Sequence, residues 1–420
     1  MRRSSFLLIF LLTAACVGSV DAPVTLSPQK SANPAPLLDT RGATPTIKAK
    51  NASMSRVDSV FAATLRPAFG NAPIVALLLP LTGKDKGIGQ SMQDAALLAL
   101  NDAGQSNIQL RPYDTQSNPA RAATLAEKAV SDGAQLIVGP LFAAEARAAR
   151  DATRASNTPL ITFSNDRTLA NDGSYVLGIM PQDQIARLIQ HSVTSNKRRF
   201  AILVPDNAFG EIMRSAAEEI IGRSGGTLVI SERLVAGSEA QTAALKKLGQ
   251  RAAKEGYGAG FDVLILPLSG AELRSVAPLL AVNGIDTQRV KLLGLSSWDD
   301  PKTLGEPSLQ GAWFAAAPRK MREQFESNYS KLYGKSPIRQ ASLAYDATAL
   351  AIVISRSNNG QFSESWLKNA SGYAGIDGIF RFTPQGISER SLSVFEISGQ
   401  GTKEISPAAS RFESSQAQRR

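Results

Sequence analysis

Few residues of this chain have the types and spacing that catalysis needs. A hydrolase requires a nucleophile beside a positioned base, and a metal site requires grouped histidine or cysteine ligands. The chain has 420 residues but a single histidine, His191, and a single cysteine, Cys16. His191 stands near a predicted helix end, where a solvated or capping role is the simpler interpretation. We therefore predict no enzyme activity, no metal and no cofactor.

Two short motifs point to chemistry that their surroundings do not support. Residues 27–30 have the Ser-x-x-Lys spacing of an acyl-enzyme nucleophile, but they stand in a Pro- and Ala-rich stretch without a helix pattern. Gly83, Gly87 and Gly89 follow a strand and open a helix, with a spacing that fits neither nucleotide-binding fingerprint. We interpret them as a tight strand-to-helix loop facing a cleft. A weak anion site formed by Lys84 and the free helix N–H groups is the alternative interpretation of this loop.

The N-terminal residues form an export signal that ends at Cys16. Arg2 and Arg3 supply a positive start, and Phe6–Leu12 is an apolar run too short to span a bilayer. A lone cysteine cannot make an internal disulfide, so a role as acyl acceptor explains its position better. The small residues before it resemble the lipobox of bacterial lipoproteins, which implies a lipid anchor on Cys16 and loss of residues 1–15. A soluble secreted protein is the alternative.

The basic charge of the chain does not indicate a nucleic-acid partner. The formal net charge is +10, and it falls to +8 when Arg2 and Arg3 leave with the signal. Export separates the chain from nucleic acid, and no aromatic-rich basic stripe is present. Generic solvated charge is the simpler interpretation, and an anionic lipid or cell-wall surface is the alternative.

The N-terminal part and the rest of the chain differ in composition. Residues 17–50 are rich in Pro, Ala, Ser and Thr without periodicity, so they cannot bury enough apolar surface to fold. We predict a flexible tether over 16–71. From Ala72, apolar strands alternate with amphipathic helices, which indicates parallel sheets with helices on both faces. The first unit has predicted strands at 74–81, 108–114, 134–141 and 159–165, with a predicted helix at 119–131 between the second and the third.

The strand–helix pattern then repeats, which predicts an α/β fold with two lobes. The second unit has predicted strands at 200–206, 226–235, 261–269 and 290–296, with a predicted helix at 208–223 after the first. A strand at 311–318, a helix at 319–333 and a small-residue helix near 340–355 precede a β-like end. We expect the domain to span 72–402. Residues 403–420 carry no core pattern and are predicted to be a disordered tail.

Several motifs follow one another in an order typical of one family. They are Pro-Leu-Thr-Gly at 80–83, Gln-Asp-Ala at 93–95, Gly-Pro-Leu at 139–141, Pro-Gln-Asp at 181–183, Ala-Tyr-Asp-Ala at 344–347 and Gly-Ile-Asp-Gly at 375–378. This order resembles the type 1 periplasmic binding proteins of the leucine/isoleucine/valine-binding family. The resemblance implies two lobes joined by three crossing segments near 181, 305 and 372. The first lobe would comprise 72–180 and 311–372, and the second 182–305 and 373–400.

A second set of residues narrows the resemblance. Trp298, the run Leu-Gln-Gly-Ala-Trp-Phe at 309–314, Phe325 and Tyr329 follow one another. They resemble the penicillin-binding protein activator lipoproteins, which are outer-membrane proteins that use this fold to stimulate cell-wall synthases. The implied partner is a bifunctional penicillin-binding protein. Since Val17 is not the aspartate that retains enterobacterial lipoproteins in the inner membrane, the resemblance favours the outer membrane.

The resemblance also places a ligand cleft at loops that depart from those of amino-acid receptors. Such receptors hold a ligand's carboxylate with hydroxyls and N–H groups, and its ammonium with a carboxylate, because buried charges need compensation. Phe142 and Ala143 stand where a serine is usual, and Phe209 replaces a tyrosine. Asp166 stands near the expected carboxylate-binding threonine, where an acid would repel the ligand. The candidate cleft residues are Thr82, Lys84, Phe142, Ala143, Ser164, Asn165, Asp166, Asp206, Phe209, Ser269, Ser296, Trp298 and Asp299.

Two functions are in keeping with these residues, and both use the same fold. The first is a protein-binding regulator that activates a peptidoglycan synthase, and the altered cleft favours it. The second is the receptor of an ABC importer, which would hand an amino acid or another small polar ligand to an ABC permease. An intact set of carboxylate- and ammonium-binding groups would favour the receptor.

Overall fold

The two predicted units form two separate lobes. The computed structural model describes the chain over residues 72–104, 107–235, 237–253, 260–399 and 401–412. Within these ranges there are a five-stranded sheet, a seven-stranded sheet and a small three-stranded sheet, and no helix is both long and apolar enough to cross a membrane. The predicted signal, the lipid on Cys16 and the tether lie outside the described residues.

The first lobe is built on a parallel sheet. Its strands are β1 Ile74–Leu79, β2 Gln109–Asp114, β3 Ala134–Val138, β4 Leu160–Thr162 and β5 Ser174–Val176. They lie in the order β2-β1-β3-β4-β5, and every neighbouring pair is parallel. The helices between them are α1 Lys86–Asp102, α2 Pro119–Ser131 and α3 Ala143–Thr153. All β1 side chains after Ile74 are fully buried, because helices cover both faces of the sheet.

The second lobe has a mixed sheet. Its parallel strands are β6 Arg199–Pro205, β7 Thr227–Leu234, β8 Val263–Ile265, β9 Lys291–Gly294 and β10 Trp313–Ala316. Two later strands, β14 Ser393–Ser398 and β15 Gly401–Ser406, extend it in antiparallel fashion. The sheet order is β15-β14-β10-β9-β8-β6-β7. The helices of this lobe are α4 Pro181–Thr194, α5 Ala208–Arg223, α6 Ser238–Ala252, α7 Gly270–Val282 and the short α8 Pro301–Leu304.

The chain returns to the first lobe after β10. This part contains the helices α9 Arg319–Tyr333, α10 Ala341–Ser357 and α11 Glu364–Leu367. It also contains an antiparallel sheet of β11 Tyr373–Gly375, β12 Gly378–Phe382 and β13 Ser388–Arg390. Helix α10 packs against α1, and Tyr373, Phe380 and Phe382 are buried in the same core as β1. The antiparallel sheet is therefore part of the first lobe.

Three segments cross between the lobes, and two of them differ from the predicted positions. The crossings lie at 180–181, 317–318 and 391–392. The assignment of 311–317 to the first lobe is wrong, because β10 lies between β9 and β14 in the second sheet. The assignment of 373–390 to the second lobe is wrong, because β11, β12 and β13 pack on the first core. An apolar strand pattern does not encode which sheet the strand joins.

The predicted disordered tail is wrong over 403–412. Strand β15 continues to Ser406 and pairs with β14. Lys403 and Glu404 are exposed, so this edge strand shows no apolar alternation and is held by main-chain hydrogen bonds instead. Residues 407–412 follow without regular structure, and 413–420 lie outside the described residues.

Local signals explain why two helices begin where the sequence predicts. The Asn118 side chain accepts the N–H of Arg121, and Pro119 occupies the first turn of α2. The Asn207 side chain accepts the N–H of Gly210 at the start of α5. An asparagine cap satisfies a helix N–H that has no partner within the helix, and proline fits the first turn because it has no N–H.

Candidate functional site

An uncharged cavity lies at the edge of the first sheet where the parallel strands end. We call it the cleft cavity, and its volume is about 310 Å³. Its lining residues are Ile88, Leu141, Phe142, Ala143, Phe163, Ser164, Asn165, Ile179, Gln340 and Leu343. They come from the segments that follow the first-lobe strands and from the start of α10. Open α/β sheets bind ligands outside the carboxyl ends of their strands, so this position suits a ligand.

Four predicted cleft residues line the cleft cavity. Phe142 precedes α3 and Ala143 begins it, so carbon atoms stand at the position expected for a serine hydroxyl. Ser164 is buried, and its hydroxyl accepts the N–H of Asp166 at 3.1 Å. Asn165 is exposed. The side-chain polar groups of the lining are thus a hydroxyl and two amides, and none of the described residues in the lining carries a charge.

Asp166 does not line the cleft cavity, which corrects the predicted repulsion of a ligand carboxylate. One carboxylate oxygen accepts the N–H and the hydroxyl of Thr168, at 3.0 and 2.7 Å. The other accepts Arg147 Nη2 at 2.9 Å. Asp166 therefore holds the turn that follows β4, and a cation from α3 compensates its charge. The predicted acid is present, but its charge is used within the first lobe.

The loop after β1 carries Thr82 and Lys84, both exposed and both outside the cleft cavity. Asp114 accepts the N–H groups of Leu81 and Thr82 at 2.9 and 3.1 Å, and the Thr82 hydroxyl at 2.6 Å. Burial alone would raise the pKa of Asp114, but these bonds hold it below its ordinary value. A Cβ on Gly89 would lie 2.0 Å from a main-chain oxygen just after β1, so the glycine serves close packing.

A second cavity lies where the chain crosses between the lobes for the second time. We call it the polar cavity, and its volume is about 280 Å³. It brings together Ser296 and Asp299, two predicted cleft residues. Asp299 accepts Arg319 Nη2 at 2.8 Å, and the Ser296 N–H donates to the Gln184 side chain at 2.7 Å. The full lining is Ser296, Asp299, Ala316, Ala317, Arg319, Arg322, Glu323, Glu326 and Arg339.

Two arginines of the polar cavity bind a buried acid, Asp377. Arg322 donates to it through Nε at 3.0 Å and Nη2 at 2.5 Å, and Arg339 donates at 3.0 Å. The Ser342 hydroxyl donates to the other carboxylate oxygen at 2.7 Å. Asp377 lies between β11 and β12 and is only 2% exposed. This network therefore fixes α9 and α10 to the antiparallel sheet, and it takes up charge that a ligand could otherwise use.

Three second-lobe candidates line neither cavity. Asp206 is exposed after β6 and lies 3.7 Å from Arg233. Phe209 is 37% exposed in the first turn of α5. Ser269 is exposed at the position before α7. The structure places them around the carboxyl ends of the second-lobe strands without joining them to the first-lobe residues.

Trp298, a cleft candidate for which packing was the simpler interpretation, is a core residue of the second lobe. Its side chain is fully buried, and its indole N–H donates to the Leu268 carbonyl at 2.9 Å. A Cβ on Gly294 would lie 2.0 Å from the indole ring, so glycine at the end of β9 makes room for the ring. The residue that follows this apolar strand is therefore part of the hydrophobic core and not of a ligand site.

Sequence comparison with known proteins agrees with this architecture. The sequence model of the family described as periplasmic binding protein matches residues 74–401. The chain belongs to this family. The predicted two-lobed α/β fold is thereby confirmed, and family membership supports an exported, periplasmic location.

Solved periplasmic binding proteins share the fold at low sequence identity. A branched-chain amino acid ABC transporter protein of Rhodospirillum rubrum gives a TM-score of 0.70 at 20% identity, covering 80% of this chain and 100% of that one. A branched-chain amino acid ABC transporter periplasmic ligand-binding protein of Burkholderia xenovorans gives 0.65 at 16% identity, covering 82% and 96%. Such identities establish the fold alone.

Curated relatives of this periplasmic binding protein match over shorter segments. Penicillin-binding protein activator LpoA of Vibrio cholerae is 31% identical over 151 residues, which are 34% of this chain and 24% of that protein. LpoA of Serratia proteamaculans is 28% identical over 134 residues, 32% and 19% of the two chains. An uncharacterized protein of Rickettsia prowazekii is 26% identical over 178 residues, 42% and 47%. The matched segment is less than half of each relative.

Several cleft residues of this periplasmic binding protein were not singled out from the sequence. Leu141, Phe163 and Ile179 each come shortly after a first-lobe strand, and the rule that ligands bind at carboxyl strand ends would have found them. Gln340 and Leu343 come from α10, a late helix that returns to the first lobe. No local signal at these two positions indicates that they face the cleft.

His191 of this periplasmic binding protein packs against an aromatic ring, which corrects the solvated or capping role. Its ring meets the Trp313 ring edge-on, with centroids 4.8 Å apart. Burial, and then the charge of Arg187, lower the pKa of His191 below its ordinary value. The imidazole is therefore neutral at pH 7. Among the described residues, no three His, Cys, Asp or Glu side chains are grouped so that they could hold a metal ion.

Proposed function

We propose that this periplasmic binding protein is a non-catalytic envelope lipoprotein that activates a bifunctional penicillin-binding protein. The similarity to LpoA supports this function, because those relatives are named penicillin-binding protein activators. The motif residues around Trp298 and Phe325 point to the same group. A protein of this kind uses its fold as a docking surface, so its cleft does not need to hold an amino acid.

The observation that carries the proposal is the uncharged lining of the cleft cavity. A bound amino acid has a carboxylate and an ammonium, and each charge needs a compensating partner once it leaves water. Here Phe142 and Ala143 supply carbon atoms, and the polar side chains of the lining are Ser164, Asn165 and Gln340. A missing charge-assisted hydrogen bond costs about 1.5–3 kcal/mol, and about 1.4 kcal/mol is a factor of ten in affinity. Losing two such bonds weakens binding about a hundredfold to ten-thousandfold relative to a micromolar receptor, which centres the dissociation constant near a millimolar.

The decisive test joins a binding assay with an activity assay. Isothermal calorimetry of the purified chain with leucine, isoleucine and valine is expected to give no binding tighter than about millimolar. Adding the chain to a bifunctional penicillin-binding protein from the same cells is expected to raise its rate of glycan polymerisation. A leucine-binding protein of the same fold is the control and should leave that rate unchanged. Micromolar leucine binding without stimulation would overturn the proposal.

A second candidate function is the receptor of an ABC importer. The fold neighbours favour it, since several are named as ABC transporter substrate-binding proteins. Its ligand would hydrogen-bond to the hydroxyl and the two amides of the cleft cavity, and the part of the ligand inside the cavity would carry no formal charge. A screen of uncharged small polar molecules by calorimetry tests this function. A micromolar ligand that does not alter synthase activity would make the importer receptor the better assignment.

We also propose that Cys16 carries a lipid that anchors the protein, with the outer membrane as its destination. Cys16 is the only thiol in the sequence, and it ends a signal-like segment. Cys16→Ser is expected to abolish incorporation of labelled fatty acid and to release the protein from the membrane fraction. Ser19→Ala is the matched control and should remain anchored. If the Cys16→Ser protein resists a high-salt wash of the membranes, the anchor is not at this residue.

A further inference from the structure

The segment that follows β15 is hydrogen-bonded to the second lobe where it begins. Arg187 of α4 donates through Nη2 to the Ser406 hydroxyl at 2.6 Å. The N–H of Ala408 donates to the Ser393 hydroxyl at 3.0 Å. Both contacts fix the start of this segment to the second lobe. We call residues 407–412 the C-terminal strap.

The far end of the C-terminal strap lies on the first lobe. The guanidinium of Arg381, on β12, stands over the Phe412 ring, 4.3 Å from its centroid. A Cβ on Gly372 would lie 2.8 Å from the same ring, so glycine allows the ring to lie close to the main chain. The strap is therefore a connection between the lobes in addition to the three crossing segments.

A separate pocket, which we call the strap pocket, lies beneath the C-terminal strap, between α9 and the antiparallel sheet. Its volume is about 270 Å³, and it shares no lining residue with the cleft cavity or the polar cavity. Its walls are mainly apolar and include Met321, Phe325, Tyr345 and Ile379. The strap adds residues 408–410 as one wall. Because that wall is fixed to the second lobe, a ligand here contacts both lobes.

Among the residues that the structure describes, Asp102 is the one charged member of this lining. Its carboxylate is exposed at the end of α1 and accepts the Tyr345 hydroxyl at 2.9 Å. The rest of the lining consists of apolar residues, glycine, serine and amides. An apolar pocket with one convergent polar group is the usual form of a small-molecule site, and an acid at its edge attracts a cation. We propose that the strap pocket binds a small molecule with an aromatic or branched aliphatic body and one amine.

This site does not depend on the proposed activation of a penicillin-binding protein. The aromatic or aliphatic body lies against Phe325 and Ile379, and the amine reaches the Asp102 carboxylate. A ligand in this position holds the strap against the first lobe, and it therefore stabilises the arrangement of lobes in which the strap is seated. The ligand shifts the equilibrium towards the seated strap because it binds that arrangement more tightly than one in which the strap is displaced.

The test uses 2-phenylethylamine as the probe and ligand-detected NMR on the full chain at low ionic strength. A ligand of this size is expected to bind saturably with a dissociation constant on the order of a millimolar. The neutral 2-phenylethanol should bind about threefold more weakly, and the anionic 3-phenylpropanoate more weakly still, because Asp102 is exposed and its attraction is screened. No saturable binding of the amine, or equal binding of amine and carboxylate, would overturn the proposal.

Two variants locate the probe. Ala374→Leu fills the pocket from β11 and is expected to weaken the amine at least tenfold, while Ala120→Leu on the exposed side of α2 should leave it unchanged. Asp102→Asn keeps an acceptor for Tyr345 but removes the charge, so the amine should bind no better than the alcohol. Unchanged amine affinity in either pocket variant would place the probe elsewhere and exclude this site. The Asp102→Asn result stands even if Ala374→Leu fails to fold.

Discussion

The cleft cavity and the polar cavity are similar in volume, about 310 and 280 Å³, but opposite in the chemistry of their linings. Within the part of the chain that the structure describes, no residue that lines the cleft cavity is charged, whereas six of the nine residues that line the polar cavity are. Those six include Asp299 paired with Arg319, and Arg322 and Arg339 paired with Asp377. The charges of this region therefore join helices and lobes, and they are absent from the place where a charged ligand would need them.

This difference separates two uses of one fold. A receptor for amino acids has to keep a carboxylate free in its cleft for the ammonium of the ligand. Here the acids near the first-lobe loops, Asp114 and Asp166, are bonded within those loops. A chain with this distribution is better suited to present a stable two-lobed surface than to capture an amino acid, and each of the following variants tests that interpretation.

The largest expected loss of stability is in the ion-pair network beside the polar cavity. Asp377→Asn keeps the shape of the side chain but removes the buried anion from Arg322 and Arg339, and Arg322 then retains its ion pair with the partly exposed Glu326. Removing one partner of a buried ion pair costs about 3–5 kcal/mol, and because Arg339 is partly exposed we expect about 3 kcal/mol in urea unfolding. Asn165→Ala in the cleft cavity is the control and should change stability by less than about 0.5 kcal/mol. Equal losses in both variants would remove the distinction between the cavities.

The second effect concerns a residue predicted for the cleft that lies in the core. Trp298→Phe removes the hydrogen bond to Leu268 and leaves a small void beside Gly294. We expect about 2 kcal/mol lower stability in urea unfolding and no change in any ligand affinity of the cleft cavity. A variant with unchanged stability but altered ligand binding would show that Trp298 belongs to the cleft after all.

A smaller effect should depend on pH. The pKa of Asp183, at the first crossing, is raised to about 7, because burial outweighs the opposing charges of Arg167 and Arg390 and the charge of Glu389 acts in the same direction as burial. The folded state then binds a proton more tightly than the unfolded state, whose carboxyl has an ordinary pKa near 3.8. Stability should therefore rise as the pH falls from about 8 towards 4.

Asp183→Asn removes that pH dependence. A shift from 3.8 to about 7 would correspond to about 4 kcal/mol for a fully buried carboxyl, but Asp183 is partly exposed and solvent screens its charge. At pH 8 the variant should therefore be more stable than the parent by about 1 kcal/mol, seen as a melting temperature about 2 °C higher. Near pH 4 the two proteins should melt together. A variant that is less stable than the parent at pH 8 would mean that the Asp183 carboxylate is favourably paired in the folded state.

The smallest effect tests the first-lobe wall of the cleft. Asp166→Asn keeps an acceptor for Thr168 and loses an exposed ion pair with Arg147, so stability should change by less than about 1 kcal/mol. If Asp166 repelled a ligand carboxylate, the variant would bind leucine more tightly. Because its charge is compensated outside the cleft cavity, we expect calorimetry to show no gain in leucine affinity.

Parts of the fold with strong local signals were predicted closely from the sequence. The helices α2, α5 and α9 occupy the predicted residues, since caps, proline and periodicity lie within each segment. Strand β5 was missed because it has only three residues, and β15 because an exposed edge strand carries polar side chains. Such strands are defined by their neighbours in the sheet and not by their own composition.

The site was predicted less completely, because its chemistry depends on partners that are distant in sequence. Phe142, Ala143, Ser164 and Asn165 line the cleft cavity, as the strand-end positions indicated. No local pattern around Asp166 indicates that it binds Arg147, a cation on the preceding helix. Nor could the sequence place Trp298, whose burial depends on the space beside Gly294 at the end of β9.

The return of the chain to each lobe has a consequence for the order of folding. Strand β10 meets β14 through Trp313 and Glu396, which are 83 residues apart, and α9 reaches α1 through Tyr329 and Ser91, which are 238 apart. Closing loops of this length is entropically unfavourable before the contacts form. Until β14 arrives, β10 is an open sheet edge that could pair with another chain. We expect both lobes to complete their folding late and together. The pairing of β14 with β10 would be the step that covers the open edge of β10.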